Sequence, residues 1–246
     1  MRLNDKVAVV TGGSGGLGSA TARLLASEGA RIALVDLDVE AGERLAHELD
    51  GLFLPADVSE LDQNVGVFEA VERHFGAVDR VHLNAGIATG CALGEDFSLE
   101  LYRRAMGVNI DGVVFGVHAA LPALRRSGGG AIVATASLAG LTAVPMDPIY
   151  AANKHAVVGL VRSLGTALAG EGVRINAICP GFAESAIIEP IREAIAASGV
   201  PIIPAQEVAA AVLELMDGAM SGECWYVQPG RDSEAFRFRN VPGHRS

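Results

Sequence analysis

Tyr150 and Lys154 stand four positions apart in the run Tyr150-Ala151-Ala152-Asn153-Lys154. On a helix that spacing puts both side chains on one face, about a turn from each other. A free phenol titrates near pKa ~10, so a tyrosine that trades protons at about pH 7 to 8 needs its pKa lowered by roughly 2 to 3, worth about 3 to 4 kcal/mol. A neighbouring ammonium favours the phenolate and works in that direction. Ser137 lies upstream, just past an apolar run, where its hydroxyl could hold a reacting oxygen beside the phenol. Its expected role is geometric, not nucleophilic. Each feature alone is weak: solvated helix faces often carry Tyr-x-x-x-Lys pairs, and a serine can simply end a strand.

A third fragment, Thr11-Gly12-Gly13-Ser14-Gly15-Gly16-Leu17-Gly18, follows the apolar run Val7-Ala8-Val9-Val10 and precedes a helical pattern starting near Ser19. Backbone amides of such a turn, with the positive end of the helix, can face a pyrophosphate, and absent side chains let it come close. The expectation is dinucleotide binding by Gly12, Ser14, Gly16, Leu17 and Gly18. The same residues satisfy the G-x-S-x-G elbow that exposes a nucleophilic serine, here Ser14, in hydrolases. That elbow needs an oxyanion-hole loop from an earlier strand, and the residues ahead of Thr11 are too few to supply one. No Gly-Lys-Ser/Thr follows, so a P-loop is unsupported. Asp36 closes the next apolar run, where a carboxylate can accept from adenosine ribose hydroxyls. It also repels a 2′-phosphate: two unit charges ~4 Å apart cost about 4 kcal/mol at an effective dielectric near 20. Position 37 is Leu, and residues 13–17 hold no Lys or Arg. The expected cofactor is NAD(H) over NADP(H), with a strand-end helix cap as the plainer role for Asp36.

The frame for these fragments is an alternation of short β-branched runs with longer helical patterns. Val7–Val10, Arg31–Val35, Leu52–Leu54, Arg80–Leu83, Ala131–Thr135, Arg174–Ile178 and Cys224–Val227 read as strands, most of them covered on both faces. Ala20–Glu28, Glu40–Leu49, Leu61–Phe75, Leu99–Leu124 and Ala151–Ala169 read as helices, with Ser59 and Asp62 as an N-cap signal for the third. This predicts an α/β fold: a single doubly wound, Rossmann-type domain over residues 1–230, with a parallel seven-stranded sheet and helices on both faces. Ligands are expected beyond the carboxyl ends of the strands. Ser127-Gly128-Gly129-Gly130 reads as a turn inside that domain, and residues 231–246 as a tail.

The order and spacing of the glycine loop, Ser137 and the Tyr150/Lys154 pair resemble the short-chain dehydrogenase/reductase family from Lys6 to about Gly230. The resemblance implies an NAD-dependent oxidoreductase that interconverts a secondary alcohol and its ketone. Tyr150 would take the alcohol proton, Ser137 would fix the oxygen, and Lys154 would also hold the nicotinamide ribose. Asn109 matches the family's fourth catalytic position, which holds a water connecting Lys154 to solvent. The resemblance further implies adenine contacts from Asp57 and Val58, a groove border at Asn84, Ala85 and Gly86 with Asn84 tying strands together, a turn beneath the nicotinamide at Pro180-Gly181, and a carboxamide bond from Ser185. The chain departs from the family's Asn-Asn-Ala-Gly at Leu83, losing one polar side chain from that tie, and from the usual threonine at Ser185. Substrate contacts would fall around Thr89 to Cys91, near Val144 to Met146 and across residues 186–197. Val144, Met146, Ile187, Ile188 and Ile191 there favour a hydrophobic alcohol or ketone, with lid packing as the plainer alternative. Relatives generally form tetramers through two helices, here the one from Ala151 to Leu168 and the one carrying Val113, Val114 and Val117.

Half the residues are hydrophobic, enough for a large core, and the formal charge of −10 argues against nucleic acid or an anionic membrane as partner. A small molecule is the expected ligand. The N-terminus lacks a secretory-signal pattern and no stretch reads as the ~20 apolar residues of a bilayer span, so a soluble cytoplasmic protein is expected. Cys91, Cys179 and Cys224 are odd in number and lack ligand spacing, which predicts reduced, mostly buried thiols and no metal site. His155 should point ~100° around the helix from Lys154; it and His118 read as packing or surface residues. Trp225 reads as core or interface. The tail Arg231–Ser246 places Phe236 and Phe238 among Arg231, Arg237, Arg239 and Arg245, and is expected either to pack on a neighbouring subunit or to be disordered. Two competing readings are a catalytically silent dinucleotide sensor, which would not need Tyr150 and Lys154 together, and an enzyme that uses NAD internally for epimerisation.

Overall fold

The computed structural model describes residues 1–239. In chain order the elements are β1 (Val7–Thr11), α1 (Gly16–Ser27), β2 (Arg31–Asp36), α2 (Val39–Glu48), β3 (Leu52–Pro55), α3 (Leu61–Phe75), β4 (Arg80–Leu83), α4 (Leu99–Met106), α5 (Gly112–Arg126), β5 (Gly130–Thr135), α6 (Pro148–Ala167), β6 (Val173–Pro180), α7 (Arg192–Ala197), α8 (Ala205–Asp217), β7 (Cys224–Val227) and β8 (Glu234–Ala235). Every residue of β1 is buried, as a strand covered on both faces requires. The sheet order is β3-β2-β1-β4-β5-β6-β7-β8, parallel from β3 to β7. The order reverses direction between β1 and β4, which opens a crevice at their carboxyl ends.

Two hydrophobic layers sandwich the sheet. On one face Val9, Val81 and Ile132 pack with Phe68 of α3, Leu124 of α5 and Val161 of α6. On the other, Val10, Leu34 and Val133 pack with Leu25 of α1, Leu45 of α2 and Val212 of α8. Val113 and Val117 belong to the first layer, so two of the three valines expected at a subunit contact are spent inside the domain, and only Val114 is exposed.

Four expectations change. The sheet has an eighth strand: β8 pairs antiparallel with β7, matching Trp225 to Ala235 and Tyr226 to Glu234. The described part of the tail therefore folds onto its own chain, with Phe238 against the core and the Arg162 guanidinium 3.8 Å from its ring centroid. The expectation for residues 240–246, Arg245 included, lies outside the described residues. The helix expected from Leu99 to Leu124 is interrupted by a π-turn at Gly107–Asp111. Within the stretch Leu99–Arg126 an 18-residue window of mean hydropathy 1.3 is long and apolar enough by composition to cross a membrane, contrary to the sequence reading, but Ala120, Ala123 and Leu124 of that stretch are fully buried in the protein core. Lastly, Ser59 does not cap α3. Its hydroxyl donates to Asp57 Oδ1 at 2.7 Å, and Glu60 occupies the cap position without a side-chain bond.

Candidate active site

β1 delivers the chain into the glycine loop at the crevice. Gly12 has φ +61°, and a Cβ there would lie 2.9 Å from Ala85 Cα. A Cβ on Gly18 would collide with the Gly12 carbonyl, so these glycines let α1 start directly against the loop. Gly16 is equally confined: a Cβ would meet Glu184 O at 2.5 Å, which brings the segment after β6 onto the start of α1. A Cβ on Gly15 would make only ordinary contact, 3.6 Å from Gly12 O; no side chain caps α1, and its first turn carries no acidic residue. Bare amides at a helix start, in a cradle without side chains, fit a dinucleotide pyrophosphate.

Asp36 reaches this loop. Its Oδ2 accepts from Ser14 N at 3.0 Å, and its Oδ1 from Leu37 N at 2.7 Å and Asp38 N at 3.2 Å. It is not the helix cap; Asp38 caps α2 by accepting from Ala41 N. Asp57 holds its own turn by accepting from Ser59 N at 2.9 Å. Val58 is buried against Gly112, where a Cβ would lie 2.9 Å from Val58 Cγ2. Asn84 does tie strands together: Nδ2 donates to Thr11 O at 3.1 Å and Gly12 O at 3.3 Å, while Oδ1 accepts from Thr135 Oγ1 at 3.1 Å. Asn84 N and Ala85 N both donate to Thr11 Oγ1.

The chemical end is assembled by the start of α6. Asp147 caps it, accepting from Tyr150 N at 2.9 Å, and Pro148 occupies the first turn. Asp147 Oδ1 also accepts from Thr89 Oγ1 at 2.6 Å, which fixes the loop after β4 to the tyrosine's turn. The Ser137 hydroxyl lies near the Tyr150 phenol and favours its ionised form. Ser137 Oγ is held in place by Ala139 N, which donates to it at 3.1 Å, and by Pro180 O, which accepts from it at 3.4 Å. Lys154 is buried; its Nζ donates to Thr135 O at 2.9 Å and lies 5.6 Å from the Tyr150 ring centroid.

Asn109 sits in the π-turn, fully buried. Its Oδ1 accepts from Ile87 N at 2.9 Å, and its Nδ2 donates to Ile87 O and to Asn153 Oδ1, both at 3.0 Å. Gly86 marks where the groups converge, since a Cβ there would lie 3.3 Å from Asn109 Oδ1 and 3.5 Å from Lys154 Nζ. Gly181 N donates to Val227 O at 3.0 Å, anchoring the turn after β6, and Ser185 Oγ donates to Ala183 O at 3.1 Å.

The electrostatics differ from the simple pair. Burial pushes the Tyr150 phenol up to about 12, against the nearby Ser137 hydroxyl, and the Asp147 carboxylate adds to the rise. Burial pushes the Lys154 ammonium down to about 8, with Cys179 opposing. The lysine alone therefore does not bring the phenol into the neutral range. A further positive charge beside the hydroxyl would lower its pKa.

Of the expected substrate positions, Thr89, Cys91 and Ile188 are buried, Val144 and Ile187 are half-buried, and Met146 and Ile191 are exposed. The three cysteines are free and buried. His155 and His118 are exposed and away from the chemistry, and Trp225 is half-buried, donating Nε1–H to Glu223 at 2.6 Å. The sequence reading missed Asp147, Asn153, Thr135 and His82. An Asp-Pro pair ahead of Tyr150 was a readable signal for the first. The others are isolated polar residues in apolar runs, visible only once neighbouring elements are known.

A family model described as short chain dehydrogenase matches residues 6–196. The chain belongs to this family: it is a Rossmann-type oxidoreductase that interconverts an alcohol and a ketone with a dinucleotide. It is 37% identical over 205 residues to human (Homo sapiens) 15-hydroxyprostaglandin dehydrogenase (NAD(+)), covering 78% of this chain and 74% of that one. It is 35% identical over 198 residues to cyclohexanol dehydrogenase of Acinetobacter sp. (strain SE19), covering 78% and 79%. The crystal structure of levodione reductase superposes with a TM-score of 0.85 at 31% identity, covering 93% of this chain and 98% of that one.

Proposed function

We propose that this protein is an NAD-dependent dehydrogenase of hydrophobic secondary alcohols, running in reverse as a ketone reductase, with Tyr150 as general acid/base. The observation that carries the proposal is the meeting of Tyr150 with the buried Lys154, whose Nζ lies 5.6 Å from the ring centroid and is held by Thr135 O at the carboxyl end of β5, with Ser137 beside the phenol. In the oxidative direction Ser137 holds the alcohol oxygen, Tyr150 accepts its proton, and Lys154 stabilises the phenolate from behind the ring. Asn109 and Asn153 fix the floor of the site, the side from which Lys154 exchanges its proton with solvent. Bound NAD+ supplies the hydride acceptor and the additional positive charge that a phenol at about 12 requires. The α1 start and glycine loop would hold its pyrophosphate and Lys154 its nicotinamide ribose. Ser185 would hold its carboxamide, and Asp57 and Val58 would border its adenine.

NAD over NADP is supported by Asp36, whose carboxylate faces the loop with no Lys or Arg at residues 13–17 to offset it. The NAD(+) in the name of the human relative agrees with it. A hydrophobic substrate is supported by Val144, Met146, Ile187 and Ile191 and by the cyclic or lipid alcohols in the relatives' names. The silent-sensor alternative gives no reason to keep an ammonium buried beside a phenol, an expensive arrangement that active sites maintain for use. Cytoplasmic location and a homotetramer complete the proposal. The tetramer is supported by the small, exposed face of α6 formed by Ala152, Ala156, Gly159 and Ser163. The test is a panel of secondary alcohols with NAD+, followed at the NADH absorbance. NADH formation with hydrophobic alcohols is expected, and tight NADH binding with no turnover of any alcohol would sink the enzyme reading.

A further inference from the structure

His82 is a fully buried titratable group that the reaction does not use. It is fully buried in β4, opposite Val10 of β1 on one side and Val133 of β5 on the other, within an otherwise aliphatic layer. Its Nε2 lies 2.9 Å from Thr135 Oγ1, and its Nδ1 has no hydrogen-bond partner among the described residues. An aliphatic side chain would avoid that unpaired nitrogen.

The donor order of this cluster follows from its far end. Asn84 Nδ2 donates to Thr11 O and Gly12 O, so Asn84 Oδ1 is the acceptor facing Thr135. Thr135 spends its single hydroxyl hydrogen there, and must therefore accept from His82. The imidazole thus carries its proton on Nε2 and leaves Nδ1 bare. Burial, which pushes its pKa down to about 3, keeps it neutral. The chain of bonds runs one way, from His82 through Thr135 and Asn84 to the Gly12 turn. The carbonyl of the same Thr135 holds Lys154 Nζ at 2.9 Å.

We propose that His82 is a positioning residue, whose Nε2–H locks the Thr135 hydroxyl toward Asn84 and thereby holds the glycine loop and the seat of Lys154 in one register. Leu83, where the family pattern has a polar residue, lies in the opposite layer and offers no hydrogen bond, so His82 is the residue of this strand pair that completes the tie. The proposal rests on the cofactor reading given above.

NADH fluorescence titration of wild type, His82→Leu, His82→Gln, Thr135→Val and the double variant His82→Leu/Thr135→Val tests it. His82→Leu is expected to weaken NADH about fivefold, the effect of one hydrogen bond. His82→Gln, which keeps a terminal N–H at similar reach, is expected to return the Kd to within about twofold of wild type. In the Thr135→Val background, His82→Leu should add nothing. An unchanged Kd in His82→Leu, no recovery with glutamine, or additive effects would each overturn the proposal. A wild type that binds no NADH would instead sink the cofactor reading. If His82→Leu does not fold, the ¹⁵N NMR signature of the wild-type ring decides. A neutral Nε2–H tautomer is expected, and an Nδ1–H tautomer or a charged ring overturns the proposal.

Discussion

Lys154 shows most plainly what the site costs. Its pKa falls from 10.5 to about 8 by burial, a penalty on the order of 3 kcal/mol carried by the folded state while the lysine is charged in both states. Lys154→Met is therefore expected to melt no lower than wild type at pH 7, while its turnover falls by about a hundredfold or more. The folded pKa lies below the unfolded one, so the unfolded chain binds more protons between them. Wild type gains stability as pH rises from about 8 to 10.5, and the gap to the variant should narrow over that range in pH-dependent thermal melts. For Tyr150 the signs run through protonation of the phenol. In the proposed mechanism alcohol oxidation needs it deprotonated, so its rate should rise with pH, while ketone reduction should fall. Tyr150→Phe should lower turnover by about 10²- to 10⁴-fold while sparing NADH binding; retained activity would remove Tyr150 from the mechanism. At the other end of the cofactor, Asp36→Ala should narrow the preference for NAD over NADP by about tenfold or more, read as the ratio of kcat/KM values. Equal efficiency of wild type with both cofactors would refute the selection argument.

Among the elements, the π-turn at Gly107–Asp111 does the most to place a functional side chain. A single widened turn directs Asn109 onto both backbone groups of Ile87, which steadies the segment after Gly86. Asn109→Leu should leave Ile87 N and O and Asn153 Oδ1 without these bonds, costing about 1 to 3 kcal/mol of stability and lowering kcat more than NADH affinity. A variant with wild-type stability and kcat would show that this tether is dispensable. The turn was not legible from sequence, because apolar residues recur at helical spacing through Leu99 to Leu124 and a one-residue widening leaves almost no mark on that period. The seven parallel strands were legible, since each is a short apolar run between turn residues. So were Ser137, Tyr150 and Lys154, whose spacing along the chain is part of their signature. Thr135, His82 and Asn153 were not, because their partners come from other strands or helices. Only the sheet order, with Thr135 beside Asn84 across two strands, makes them a group. Ser59 was misread because a serine before an acidic residue suits a cap, whereas Asp57 takes its hydroxyl first.

In the whole molecule, the two ends of the chain's chemistry meet at the reversal of strand order, and the tail closes the opposite side. Phe236 N donates to Cys224 O at 2.8 Å and β8 follows β7 for two residues. A chain ending at Asp232 loses that cover. If the tail instead governs assembly, the truncated protein should change its oligomeric size in light scattering; an unchanged size fits the intrachain packing seen here. The covered strand reads Cys-Trp-Tyr-Val, uncharged and strongly β-prone. The rim left to solvent is brief at both sides, two residues at β8 and four at β3, the latter ending in Pro55. Stripping β8 would turn a blunt margin into a template for strand addition, so the shortened protein should seed thioflavin-positive fibrils under conditions where the intact chain stays dispersed.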